Sequence, residues 1–411
     1  MPRLLTRLVP LLLIVAAVAC TPAGPGATSA PPASQAQPAA QPDKDTTGVT
    51  DAEVVVGMWV PLSGSAASLY APIGKAHEAF FKMVNEQGGI NGRKVRYIQE
   101  DDQYDPAKTV PLVKKMVEED HVFAFLGGLG TPNGVAVLDY ITQHHVLHVA
   151  PSTGSSKWSD PVQPGYYAWQ ISYKTEARIL SKYGGEMLGK KKFAIFYQND
   201  DFGKEGFNEA KAQLPKSGGE IVAEVAYNTN DTDYSAHALK LQQSGADAVL
   251  TWAVPGPFGS LMKEAGKIGF KPIWLNSAVV NDASVLKLAQ DEQQGAYFVG
   301  WLPSPDDPAN ADNPAIKEWR ENQPKYGPDV PLNRFALIGW GQARLFREIL
   351  TRAGRDVSRQ SFEQAAQGLK DWRDLTTVTY TATDRRGTTE GWIEQAQGDH
   401  TVKITDIIKV E

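Results

Sequence analysis

The chain has almost no cysteine: of its 411 residues only Cys20 is one. A disulfide within the chain is therefore excluded, as are the cysteine-rich structural zinc sites. Basic tracts are lacking too. With 41 Lys and Arg against 47 Asp and Glu, a formal net charge of -6, no stretch is positive enough to follow a phosphate backbone, which argues against a nucleic-acid partner. The signatures of catalysis are missing as well: there is no GxSxG elbow, no GxxxxGK[ST] loop and no GxGxxG fingerprint after a strand. His144, His145 and His148 lie close together but carry no HExxH or other zinc spacing, and they lead into a strand as a helix end would. Asp101-Asp102 and Asp200-Asp201 stand where a strand gives way to a loop, the place where carboxylates cap helices and turns. With no nucleophile and base, no metal cluster and no cofactor cradle, the sequence does not read as an enzyme.

The only long apolar run is at the start. Arg3 and Arg7 precede an apolar stretch from Leu8 to Ala19, too short to span a bilayer comfortably, which reads as an export signal over residues 1–19. It ends in Ala17-Val18-Ala19-Cys20, which looks like the lipobox of bacterial lipoproteins, cleaved before a cysteine that is then acylated. Lipidation of Cys20 is the expected use of the single cysteine. Residues 20–50 are dominated by Pro, Ala, Gly, Ser, Thr and Gln with almost no large apolar side chain, so they cannot bury enough surface to fold and read as a tether. The expected location is extracytoplasmic and membrane-anchored.

From Glu53 onward, β-rich runs alternate with segments of helical period, the pattern of parallel sheets covered by helices on both faces. The first set predicts strands over 54–59, 95–100, 123–126 and 147–150, with helices over 73–87, 107–118 and 134–144. The second predicts strands over 192–197, 221–227, 248–251 and 272–275, with helices over 175–188, 203–214, 234–244 and 258–268. A further amphipathic helix is predicted over 334–353. The fold class is therefore α/β, with two doubly wound units.

Ligands of open α/β sheets bind beyond the carboxyl ends of the strands. Two facing units place the loops Pro61–Tyr70, Gly127–Asn133, Pro151–Trp158, Asn199–Phe202, Trp252–Phe258 and Asn276–Asp282 around one cleft. Three of these loops, Leu62-Ser63-Gly64-Ser65, Gly127-Gly128-Leu129-Gly130-Thr131 and Pro151-Ser152-Thr153-Gly154-Ser155-Ser156, set hydroxyls beside glycines. Backbone N–H groups and short hydroxyls near helix N-termini hold a carboxylate without any cation. Phe202, Trp252 and Phe258 are candidate apolar walls opposite.

The ordered set Pro61-Leu62-Ser63-Gly64, Gly88-Gly89-Ile90-Asn91-Gly92, Glu100-Asp101-Asp102 leading to Asp105-Pro106, and Asp200-Asp201-Phe202-Gly203 resembles the branched-chain amino-acid (Leu/Ile/Val) binding proteins of ATP-binding-cassette importers, over nearly all of the chain from Val54. The resemblance implies the type I periplasmic binding fold: lobe 1 from residues 51–172 and 301–390, lobe 2 from 173–300 and 391–411, joined by crossovers near Tyr173, Gly300 and Gly391. It implies a monomer that binds a small molecule, catalyses nothing, uses no cofactor and docks on importer membrane subunits. A sensory protein of the same fold is the alternative. By position, the resemblance gives the ligand's carboxylate to Thr131, Ser152, Thr153, Gly154 and Ser155, and the aromatic contacts to Tyr70 and Phe202. Where family members place an acid against the ligand's ammonium, this chain has Ala278, and a family tyrosine falls near Val254, beside Trp252. An aliphatic or aromatic acid is thus expected as readily as an amino acid.

Overall fold

The computed structural model describes residues 44–64 and 66–410. The export segment, the lipobox with Cys20 and most of the tether lie outside these residues.

Val54–Val60 are buried without a break, an apolar run that suits a strand covered on both faces, and they form the centre of the first sheet. Its elements are β1 (Glu53–Val60), α1 (Ala67–Glu86), β2 (Lys94–Asp101), α2 (Pro106–Glu118), β3 (Ala124–Leu126), α3 (Thr131–Gln143), β4 (Leu147–Val149) and β5 (Tyr166–Tyr167). All pairings are parallel, in the order β2-β1-β3-β4-β5. The next stretch repeats the plan with α4 (Tyr173–Lys182), β6 (Lys192–Gln198), α5 (Asp201–Gln213), β7 (Glu220–Tyr227), α6 (Ser235–Gln243), β8 (Ala248–Trp252), α7 (Pro255–Lys267), β9 (Ile273–Asn276), α8 (Ala283–Ala289) and β10 (Tyr297–Gly300). The same permutation results: β7-β6-β8-β9-β10 pair in parallel. Each sheet therefore reverses its winding beside its first strand, and a crevice opens there at the carboxyl ends.

The remaining chain returns to both. Helices α9 (Pro314–Tyr326) and α10 (Arg334–Ala353) pack on α1, and α11 (Arg359–Gln367) packs on α10. A small hairpin, β11 (Trp372–Arg373) and β12 (Thr377–Val378), follows. Finally β13 (Trp392–Gln397) and β14 (His400–Lys403) extend the second sheet antiparallel beyond β10. The chain passes between the sheets three times, after β5, after β10 and before β13.

Carboxylates do cap, as their positions suggest. Asp200 accepts from the Phe202 and Gly203 amides at the start of α5, and Asp105 accepts from Ala107 at the start of α2. His148 is buried in β4, where its Nε2 bonds the Gly127 carbonyl. Helix α1 starts six residues before the predicted Ile73 and carries Pro72 inside it. Helix α3 starts at Thr131, not Gly134, which puts Thr131 in the first turn. Among the described residues no helix is long and apolar enough to cross a membrane.

Candidate functional site

The strand-end loops of both sheets close around one cavity. From the first sheet, Tyr70 and Ile73 follow β1, Tyr104 follows β2, Leu129, Gly130 and Thr131 follow β3, and Ser152 follows β4. From the second, Phe202 follows β6, Val254 follows β8, Ala278 and Val279 follow β9, and Trp301 follows β10. Gln170 and Tyr173 come from the first crossing, and Phe335 and Ile338 from the start of α10. None of these side chains is charged.

Thr131 and Ser152 lie on neighbouring loops, joined by a bridge between Leu129 and Ser152. Gly130 caps α3 at φ +99°, and no side chain satisfies the helix's first N–H groups, which leaves the positive end of α3 at the cavity wall. Glycine is required here: Gly128 and Gly130 are both left-handed, and a Cβ on Gly128 would lie 2.4 Å from the Trp59 ring. The Thr131 hydroxyl stands 2.7 Å from the Thr153 hydroxyl. If Thr153 donates, Thr131 keeps its own proton for an anion in the cavity. The Ser152 hydroxyl accepts a 2.9 Å bond from Gln342 Nε2, so its proton is likewise available. Gln342 is itself held by His77, whose Nε2 lies 3.0 Å from Gln342 Oε1, and burial holds His77 neutral by lowering its pKa to about 3.

Five residues expected at the ligand or its apolar walls stand behind the cavity lining. Thr153 supports Thr131 from the second layer. Gly154 packs against Tyr173, where a Cβ would lie 2.8 Å from the ring. Ser155 is committed across the cleft: its hydroxyl donates to Glu205 Oε2 at 2.6 Å, while the Ser156 amide donates to Glu205 Oε1 at 2.7 Å. Trp252 is fully buried beneath Gly206, with no room between them for a Cβ, and Phe258 is buried in the core of the second half. Tyr70, Thr131, Ser152, Phe202 and Ala278 do line the cavity.

No acid reaches the cavity wall. Asp282 caps Ser284 and accepts from the Arg334 amide, Asp200 caps α5, and Asp201 pairs with Lys157 at 2.8 Å. Glu176, one turn into α4, is fully buried behind Ala278. Ser277, the Ala278 amide and the Trp252 indole face its carboxyl without reaching hydrogen-bond geometry, and burial raises its pKa to about 8. Burial thus favours its protonated form.

Residues from afar were not foreseen. Phe335 and Ile338 come from a helix some two hundred residues downstream of Thr131, and their i, i+3 spacing after the Asn333 cap is visible in the sequence while their destination is not.

The model of the family described as "Periplasmic binding protein" matches residues 53–401. The chain belongs to the periplasmic binding proteins. Within them it is similar to the Leu/Ile/Val-binding protein homolog 3 of Brucella melitensis, 23% identical over 335 residues, covering 81% of this chain and 87% of that one. Among solved structures it is similar to a branched-chain amino acid transporter protein of Thermus thermophilus with bound valine, TM-score 0.79 at 21% identity over 87% of this chain and 96% of that one. A fatty acid transporter substrate-binding protein of Thermomonospora curvata matches with TM-score 0.79 at 24% identity, covering 90% and 95% of the two chains. A solute-binding protein of R. palustris in complex with benzoate matches with TM-score 0.76 at 16% identity, covering 87% and 98%. These likenesses show the type I periplasmic binding fold. The family binds solutes, which makes this chain a solute-binding protein of an extracytoplasmic type.

Proposed function

We propose that this protein is the receptor of an ATP-binding-cassette importer, tethered to a membrane through a lipidated Cys20, and that it captures a small carboxylate with an apolar body and no obligatory ammonium group. Lobe 1 (51–172 and 301–390) and lobe 2 (173–300 and 391–411) close on the ligand, and the closed form docks on the membrane subunits. The observation that carries this reading is the composition of the cavity: uncharged throughout, apolar over most of its wall, with the Thr131 and Ser152 hydroxyls beside the uncapped N-terminus of α3. An ammonium buried there without an anionic partner is costly. Val254 and Ala278 line the wall at the positions where the family's tyrosine and acid fall, and both are apolar. Ring-bearing and aliphatic bodies both suit Phe202, Trp301 and Phe335.

The experiment is a thermal-shift panel on protein refolded to remove any bound ligand, using aliphatic acids, aromatic acids and amino acids. A ligand that binds only the folded state raises the melting temperature by mass action. The reading expects acids lacking an amino group to give the largest shifts, and it is wrong if only amino acids or uncharged compounds do so.

A further inference from the structure

Beside the cavity lies a second recess of mixed polarity, lined in part by Pro106, Pro132, Gln198, Asn199, Asp200 and Asn228. Tyr104 is the single residue that both linings share. Its ring lies against the carboxylate end of the cavity, since a Cβ on Gly130 would be 2.8 Å from Tyr104 Cε2. The ring is also stacked on Tyr70 at 6.3 Å.

The backbone that presents it is unusual. Gln103 and Tyr104 have φ of +54° and +61°, a conformation bulky residues rarely adopt. Two carboxylates hold it in place. Asp101 accepts from the Gln103 amide at 3.1 Å and from Leu62 at 2.8 Å; Asp102, fully buried, accepts from the Tyr104 amide at 3.1 Å and from Thr109 and Asn133 at 2.8 Å each. Left-handed backbone kept by its surroundings clusters at ligand clamps.

We propose that Tyr104 is a specificity-determining partition, which closes the second recess to substituents on the ligand's α-carbon and so restricts the site to unsubstituted acids. This rests on the carboxylate reading above. It goes beyond that reading by naming the residue that rejects the α-substituent and the space that substituent would occupy.

Calorimetry on the full-length protein, with hexanoate, α-hydroxyhexanoate and N-acetylnorleucine as probes, tests it, with hexanamide and α-hydroxyhexanamide as head-group controls. The native protein is expected to prefer hexanoate to N-acetylnorleucine by at least about tenfold. Tyr104→Gly suits the positive φ and removes the ring, so it should cut that preference to less than about threefold; Tyr104→Asn, which also tolerates the backbone, should act in the same direction. Tyr104→Phe should keep the native ratio. An unchanged ratio in both small variants, or a ratio shifted as far in Tyr104→Phe, overturns the proposal. Equal binding of hexanamide and hexanoate overturns the carboxylate reading alone, and the partition is then judged on the two amides. Absence of binding by every probe overturns both.

Discussion

Gln342 Nε2 donates to the Ser152 hydroxyl at 2.9 Å and to the Ala150 carbonyl at 2.8 Å, which ties the floor of the cavity to the middle of α10. Because Ser152 accepts this bond, its own proton points elsewhere, and the cavity is where a new acceptor can be met. Ser152→Ala and Thr131→Val should each weaken binding of a carboxylate by about 1.5–3 kcal/mol, the range for a hydrogen bond to a charged group. Gln342→Leu should weaken it as well, and should also destabilise the fold by about 1–3 kcal/mol, since the Ala150 carbonyl and His77 lose a buried partner. Calorimetry and urea unfolding separate the two effects. Full affinity in both hydroxyl variants would place the anion elsewhere.

The Glu205 carboxylate spans the cleft to Ser155 and Ser156, and Lys157 pairs with Asp201 beside it. These contacts join α5 of the second sheet to the loop after β4 of the first, so under the proposed closure they would help hold the lobes together. Glu205→Gln loses charge and one acceptor, which should lower the closed population and raise the apparent Kd about threefold to thirtyfold. Small-angle scattering with and without ligand checks this, and an unchanged closed fraction would show that Glu205 does not latch the lobes.

Glu176 makes stability depend on pH. Its folded pKa of about 8 lies above the ordinary 4.5, so stability is fully present below about pH 4.5 and is lost as pH rises toward 8, when the unfolded chain releases a proton that the folded one retains. His77 and His148 act in the opposite sense: burial lowers them to about 3 and 4, so the fold loses stability as pH falls below 6.5. Glu176→Gln should therefore gain stability over the native protein at pH 8, by a few kcal/mol, and much less at pH 5. Chemical denaturation at the two pH values reads the difference, and equal gains at both would contradict the buried neutral acid.

Arg334 and Glu394 form a buried pair at 2.6 Å, and the carboxylate also accepts from Asn281, Thr401 and the Trp392 indole. Arg334 immediately precedes Phe335, so this pair fixes the start of α10 at the cavity. Glu394→Leu leaves a buried guanidinium without its anion and should cost about 3–5 kcal/mol. A loss below about 1 kcal/mol in urea unfolding would mean that water already reaches the site.

Much of this was legible in the sequence because the signals are local. The run Val54–Val60 shows a doubly covered strand, Asn333 before Arg334 marks the start of α10, and glycines at 127, 128 and 130 mark a turn of positive φ. Short or edge elements were missed: β5 is only Tyr166–Tyr167, β10 is four residues, and β13 and β14 pair across long sequence separations that composition does not show. The cavity was legible where its lining residues follow strands, as Thr131 and Ser152 do. It was misjudged where a loop residue turned away: Ser155 answers Glu205, and Trp252 answers Gly206, choices made by neighbours on another element. Phe335 and Ile338 needed topology, because nothing local says which cavity a helix end will reach.

The central claim is that the site binds a carboxylate and needs no ammonium. Calorimetry comparing leucine with 4-methylpentanoate, the same acid without its amino group, tests it most directly. The account predicts that 4-methylpentanoate binds at least as tightly as leucine. Leucine binding tenfold or more tightly, about 1.4 kcal/mol, would mean that an anionic partner for the ammonium exists and would contradict it.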